Sequence, residues 1–204
     1  MTTRFILVRH GQTEWNRGAE RFRGRADLPL NETGHAQARK VAARLSKENI
    51  AAIYSSPLQR AMQTVQPLAD LLRLPVQQHA GLLDIDVGAL EGLTIDEARS
   101  AFPDVMEKWS NAPGHTKFPK GESFKAMRTR IIAMLDELTN NHPGETIALA
   151  SHRSVCMAML CIVLGMDADL LWRIHQDNAC INVFEKRDAR WVVMSMNDTN
   201  HLGI

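Results

Sequence analysis

Cysteine is scarce in this chain of 204 residues: Cys156, Cys161 and Cys180 are the only three. They cannot all pair within the chain, and two of them fall in an apolar run, a usual setting for a buried free thiol. A disulfide framework is therefore not expected, and a reducing cytoplasm fits. Excess charge of one sign is also missing. The net charge of +1 argues against bulk binding to nucleic acid or to a membrane surface, though not against a local basic pocket. Long hydrophobic runs are absent as well. Val155–Leu164 is the longest and is too short to span a bilayer. Phe5–Val8 is too short for the apolar core of a signal peptide, and no cleavage site follows it. Neither His-Glu-x-x-His nor Cys-x-x-Cys occurs, so no metal site is expected. Asp84-x-Asp86 before Gly88 lacks the third acid of a calcium loop. No repeat, low-complexity tract or linker appears, and residues 1–204 read as one domain.

What is present is an alternation of strand-like and helix-like segments. Arg4–Val8, Ala51–Tyr54, Leu74–Gln78 and Thr146–Ala150 are short apolar or β-branched runs and read as strands. Residues 33–46 place Ala38, Val41, Ala42 and Leu45 on one helical face. Ser56-Pro57 looks like a cap followed by proline at the first helical position, opening a helix to about Leu72. Thr94-x-x-Glu97 has the capping-box form and begins a helical insert over about residues 93–142. Within it, residues 123–140 turn Met127, Ile131, Met134, Leu135 and Leu138 inward. Residues 154–164 are apolar all round and predict a buried helix, and Asp167 suits the cap of a short one. Cys180–Lys186 and Arg190–Asn197 read as a hairpin. Trp191, Val193 and Met196 on its last strand suit either a core or a dimer edge. The expected fold is a three-layer α/β/α sandwich. Its sheet is mainly parallel, with an antiparallel edge hairpin and the helical insert over the site.

In such a sheet, ligands bind beyond the carboxyl ends of the strands. Three of those ends carry polar groups: Arg9-His10, then Ser55-Ser56 with Arg60, then Ser151-His152-Arg153. Arginine and histidine converging without metal-ligand spacing suit a bound phosphate. His35, His79, His115 and His142 fall on helix faces or loops and are expected to be solvated. Met157, Met159 and Leu160 read as core filler.

These blocks resemble the histidine phosphatase superfamily, the phosphoglycerate mutase-like fold, over almost the whole chain. Arg9-His10-Gly11-Gln12-Thr13-Glu14-Trp15-Asn16 is similar to its signature. Phe22-Arg23-Gly24, Ser55-Ser56-Pro57-Leu58-Gln59-Arg60-Ala61, Glu91-Gly92 and Ser151-His152 follow in the family's order. The tail, Asn197-x-x-x-His201-Leu202, resembles the small phosphatases, including the α-ribazole phosphatase-like and metal-independent phosphoserine phosphatase branches.

The resemblance implies a metal-independent phosphomonoesterase acting on small phosphorylated metabolites, with no cofactor and with a homodimer as a fair expectation. It implies that His10 attacks phosphorus and that Arg9, Arg60 and a charged His152 clamp the phosphoryl oxygens. Asn16 and main-chain N–H groups near Gly11 and Arg153 would add hydrogen bonds. His10 would have to stay neutral at the attacking nitrogen, its other nitrogen donating to a backbone carbonyl. Arg23 and Gly24 would line the substrate site. Asp84 stands where the family keeps a glutamate and would be the proton donor. Asp86 is its rival, and Glu91 would order the loop.

Several positions depart from the family pattern. Leu90 and Arg25 stand where tryptophan is common. Arg153 stands where a small residue is usual; it suits either a pocket cation or a solvated helix start. His201 suits either the substrate site or a packed tail. Residues 93–145 are short, with Lys108, Lys117, Lys120 and Lys125 scattered, which weighs against a phosphoglycerate mutase. A non-catalytic phospho-ligand binder would require loss of the nucleophile or of an arginine.

Overall fold

The computed structural model describes residues 1–18 and 20–203. The strands are β1 (Thr2–Arg9), β2 (Ile50–Ser55), β3 (Val76–Gln78), β4 (Thr146–Ser151), β5 (Ile181–Arg187) and β6 (Arg190–Asp198). The helices are α1 (Glu32–Leu45), α2 (Gln59–Leu72), α3 (Ile95–Ala101), α4 (Pro103–Asn111), α5 (Phe124–Asn141) and α6 (Arg153–Leu164). The strands form one sheet in the order β3-β2-β4-β1-β5-β6. The first four run parallel, and β5 and β6 add the antiparallel edge.

Phe5, Ile6, Leu7 and Val8 are all fully buried, because β1 is covered on both faces. Ile6 and Val8 join Ile53, Ala148 and Ala150 beneath α1 and α2. Phe5 and Leu7 join Ile147 and Leu149 beneath α5 and α6. The period-two alternation of the strand thus divides one apolar run between two cores. The described residues contain no helix long and apolar enough to cross a membrane.

Several local expectations change. Helix α2 begins at Gln59, and its cap position, Leu58, has no side-chain cap. The Ser56 hydroxyl accepts from the Leu58 N–H at 3.3 Å and meets the His152 ring, so it serves the turn and the strand-end cluster instead. The capping box at Thr94 and Glu97 forms, but the helix it opens stops at Ala101, and Pro103 begins a second one. From the insert, α3 and α4 bring Ile95 and Trp109 to the cavity beside Asp84. Helix α5 packs on α6 as part of the sheet's covering layer. Its buried face is the expected one.

Trp191 belongs to the core, where its ring meets Phe5 and Phe184. Met196 remains half exposed. His35 and His115 are exposed as expected, whereas His79 and His142 are half-buried. The Tyr54 hydroxyl lies 2.9 Å from His142 Nε2, and Glu145 lies 2.7 Å from its Nδ1.

Candidate active site

Pairing in the sheet brings the polar strand ends together. Arg9 lies opposite Ser151, and Ser55 opposite Ala150. The next residues therefore leave the sheet on one edge. The His10 N–H donates to the Ser151 carbonyl at 2.9 Å, and the Ser56 N–H to the Ala150 carbonyl at 3.0 Å. The rings of His10 and His152 end 5.3 Å apart.

His10 is fully buried. Its Nδ1–H donates to the Gly11 carbonyl at 2.7 Å, which leaves the Nε2 lone pair free. That Nε2 is buried and has no hydrogen-bond partner. Burial, then the charges of Arg60, Arg9 and Arg23, hold the ring well below the ordinary histidine range. It is a neutral imidazole with one unshared pair directed away from its own backbone. Gly11 cannot also bind an anion through its N–H, because that group donates to Thr64 Oγ1 at 2.9 Å.

Arg60 is completely buried and uses every arm of its fork. Nη1 donates to the Ala26 carbonyl at 2.6 Å, and Nη2 to the Gly24 carbonyl at 3.0 Å and to Asp84 at 3.3 Å. Nε donates to His152 Nδ1 at 3.0 Å. His152 Nδ1 therefore carries no proton, and Nε2–H donates to Ser56 Oγ at 2.8 Å. Burial, then Arg60 and His10, push the His152 pKa well down. Without a bound phosphoryl group, beside a buried guanidinium that donates to it, the ring is neutral.

The remaining arginines leave donors open. Arg9 Nη1 donates to the Gln176 carbonyl at 2.5 Å. Burial, followed by Arg23 and Arg153, lowers its pKa to about 10. Arg23 donates to Glu20 at 3.0 Å and to the Trp15 carbonyl at 3.3 Å. The Nε atoms of Arg9, Arg23 and Arg153 are all buried without a partner. Buried N–H groups ordinarily find acceptors, so the open guanidinium donors of Arg9 and Arg23 beside an open imidazole describe an anion site.

Among the acids, Asp84 reaches this cluster. It is 7% exposed, with Oδ2 3.3 Å from Arg60 and 3.7 Å from His152 Nδ1. Asp86 instead accepts from the Gly88 N–H at 2.9 Å and shapes its own loop. Glu91 accepts from the Arg25 N–H at 2.9 Å. Gly24 has φ +48° and sits where a Cβ would strike Val87, which lets its backbone approach Arg60.

Two expected substrate contacts differ in kind. Asn16 spends its carbonyl oxygen on the Thr13 N–H at 3.2 Å and hydroxyl at 3.1 Å, which leaves its amide as the donor. His201 does not line the site. It lies 3.0 Å from the Ala179 carbonyl, and the Ala179 N–H donates in turn to the His10 carbonyl. The tail packs on α1, where Lys40 holds the Leu202 carbonyl at 2.6 Å, so His201 supports the loop behind His10.

Beside Asp84 opens a cavity of about 90 Å³, with Glu20, Arg23, Trp109, Arg153 and Trp172 in its wall. Burial pushes the Glu20 carboxyl up, but Arg23, Arg153 and Arg9 outweigh it and hold the pKa below its ordinary value. Sequence reasoning missed Glu20, Trp109 and Trp172. No strand end or motif carries them; tertiary contact alone brings α4 and the turn after α6 to this wall.

The model of the Histidine phosphatase superfamily (branch 1) matches residues 5–199. Phosphoserine phosphatase 1 of Hydrogenobacter thermophilus is 34% identical over 98% of this chain and 94% of its own length. The metal-independent phosphoserine phosphatase of Arabidopsis thaliana is also 34% identical, over 98% of this chain and 83% of its own length. Among solved structures, YhfR of Bacillus stearothermophilus superposes with a TM-score of 0.92 at 28% identity, covering 98% of this chain and 99% of that one.

Proposed function

The chain belongs to the histidine phosphatase superfamily and is a phosphoric monoester hydrolase, and on that premise we propose how its residues divide the work. The observation that carries the reading is His10 Nε2, an unpartnered nitrogen on a neutral ring, amid open guanidinium donors. His10 Nε2 attacks phosphorus, and the bond from phosphorus to the ester oxygen breaks. Arg9, Arg23 and Arg60 receive the charge that spreads over the phosphoryl oxygens, with Asn16 adding an amide donor.

Asp84 gives a proton to the departing oxygen and then takes one from the water that splits the phosphohistidine. A bound phosphoryl group competes with Asp84 for the Arg60 fork. His152 is neutral before substrate arrives; as phosphate displaces Arg60 from its Nδ1, it becomes able to accept a proton and join the clamp. No step calls for a metal ion. Small phosphorylated metabolites are the substrates, and phosphoserine is the first natural compound to assay, since two relatives carry its name. The three buried thiols suit a reducing cytoplasm.

Hydrolysis of an aryl phosphate in excess EDTA tests the reading. Turnover should persist, and His10→Ala should abolish both turnover and acid-labile phosphate labelling of the protein. Strict dependence on an added divalent ion would overturn the metal-free mechanism. Near-native hydrolysis by the variant would remove His10 as nucleophile.

A further inference from the structure

Arg153 stands immediately after His152, where the family resemblance leads one to expect a small residue. It opens α6 and lines the small cavity beside Asp84. Its guanidinium lies 5.8 Å over the Trp172 ring. That ring is itself held, because its Nε1–H donates to the Trp109 carbonyl at 2.7 Å and it meets the Trp109 ring edge-on at 5.0 Å. Arg153 is thus laid on a fixed aromatic platform, not left to sweep through solvent. Its one ion pair among the described residues is a loose one, 3.4 Å to Glu20, whose other oxygen is committed to Arg23 at 3.0 Å. Its Nε is buried without a partner.

Asp84 and Arg153 line the same cavity, so a group departing beside Asp84 is within reach of Arg153. The same wall joins aromatic and charged side chains, with Trp109 and Trp172 beside Glu20, Arg23 and Arg153. Resting on the phosphatase reading above, we propose that Arg153 selects substrates whose leaving group carries an anion, a carboxylate above all, and that Glu20 holds Arg153 in place until such a group displaces it. The phosphoryl chemistry itself is served by the other three arginines. Arg153 supplies a fork whose planar donors match a carboxylate.

Three phosphomonoesters with two-carbon leaving groups isolate the charge: phosphoglycolate (anionic), ethyl phosphate (neutral) and phosphoethanolamine (cationic). The native enzyme should prefer phosphoglycolate to ethyl phosphate by about tenfold or more in kcat/KM, as one charged hydrogen bond allows. Phosphoethanolamine should be the poorest of the three. Arg153→Gln should collapse the ratio between the first two, mainly through KM, and Arg153→Lys should retain part of it. Glu20→Gln removes the competing carboxylate and should raise the ratio.

Equal losses on all three substrates in Arg153→Gln would overturn the proposal, since Arg153 would then serve the phosphoryl group common to them. So would a native preference for the neutral or cationic leaving group. If none of the three and no aryl phosphate is hydrolysed, the phosphatase reading itself falls, and this assignment with it.

Discussion

Arg60 Nε donates to His152 Nδ1 at 3.0 Å, joining the first turn of α2 to the residue that precedes α6 across 92 positions of sequence. The contact settles the tautomer of His152 and aims the rest of the guanidinium at two backbone carbonyls and Asp84. Lysine keeps the charge but cannot hold all these acceptors at once. Arg60→Lys should lower kcat/KM on an aryl phosphate by about a hundredfold or more. It should also destabilise the fold by about 1–3 kcal/mol through buried acceptors left open. Denaturant unfolding and steady-state rates check the two effects separately. A variant with native kinetics would show that Arg60 only supports the loop at Gly24.

Asp84 pairs with Arg60 beside His152, so leaving-group dependence tests its role. Asp84→Asn should depress turnover of alkyl phosphates by about a hundredfold or more, and that of aryl phosphates with good leaving groups far less. Asp86→Asn, which disturbs only a loop contact to Gly88, should not discriminate between the two classes. Equal losses on both classes for Asp84→Asn would remove it as proton donor.

Burial and neighbouring cations depress the pKa values of His10 and His152, and the sign of the linkage follows. Below about pH 6.5 the unfolded chain protonates both rings while the folded chain does not, so the unfolded state binds more protons. Stability is therefore fully present above pH 6.5 and is lost as pH falls toward the folded-state values. Each ring contributes a slope of up to about 1.4 kcal/mol per pH unit. Chemical denaturation between pH 5 and 7 should show a shallower slope in His10→Gln. Titration of either ring near pH 6.5, seen by NMR of its ring protons, would contradict the assignment.

Gly34 lies in the first turn of α1, where alanine would ordinarily favour the helix by about 1 kcal/mol. Here a Cβ would come within 2.2 Å of the Gln12 carbonyl oxygen, and one on Gly11 within 2.8 Å of the Gly34 carbonyl oxygen. Backbone on both sides gives nothing that can rotate away. Gly34→Ala should thus destabilise by about 1–3 kcal/mol and displace the His10 loop, with activity falling alongside thermal stability. A stabilised variant would mean that α1 docks less tightly than this contact indicates.

The site was legible where local chemistry carries it. Arg9-His10 and Ser151-His152 each sit at the end of an apolar run, so their common edge followed from strand order alone. The requirement that His10 donate through one nitrogen to a carbonyl was also readable, since a neutral nucleophile needs it. The tautomer of His152 was not, because its partners Arg60 and Ser56 are remote in sequence. The sequence left His201 between the substrate site and a packed tail, because its place depends on how the tail crosses α1. Helix α5 was counted with the insert because its apolar stripe shows that one face is buried, not against which layer.

By itself the sequence determined the alternating elements, the two-sided burial of β1 and the placing of Arg9-His10 and Ser151-His152 at strand ends. Periodicity and strand-end chemistry are local properties, and burial then follows from them. Only the tertiary structure decided which nitrogen of His10 is free, which tautomer His152 holds, which of Asp84 and Asp86 meets the cluster, and that Glu20, Trp109, Arg153 and Trp172 share one wall. Those outcomes turn on distances of a few ångströms between residues far apart in the chain, and on the desolvation that only a packed interior imposes.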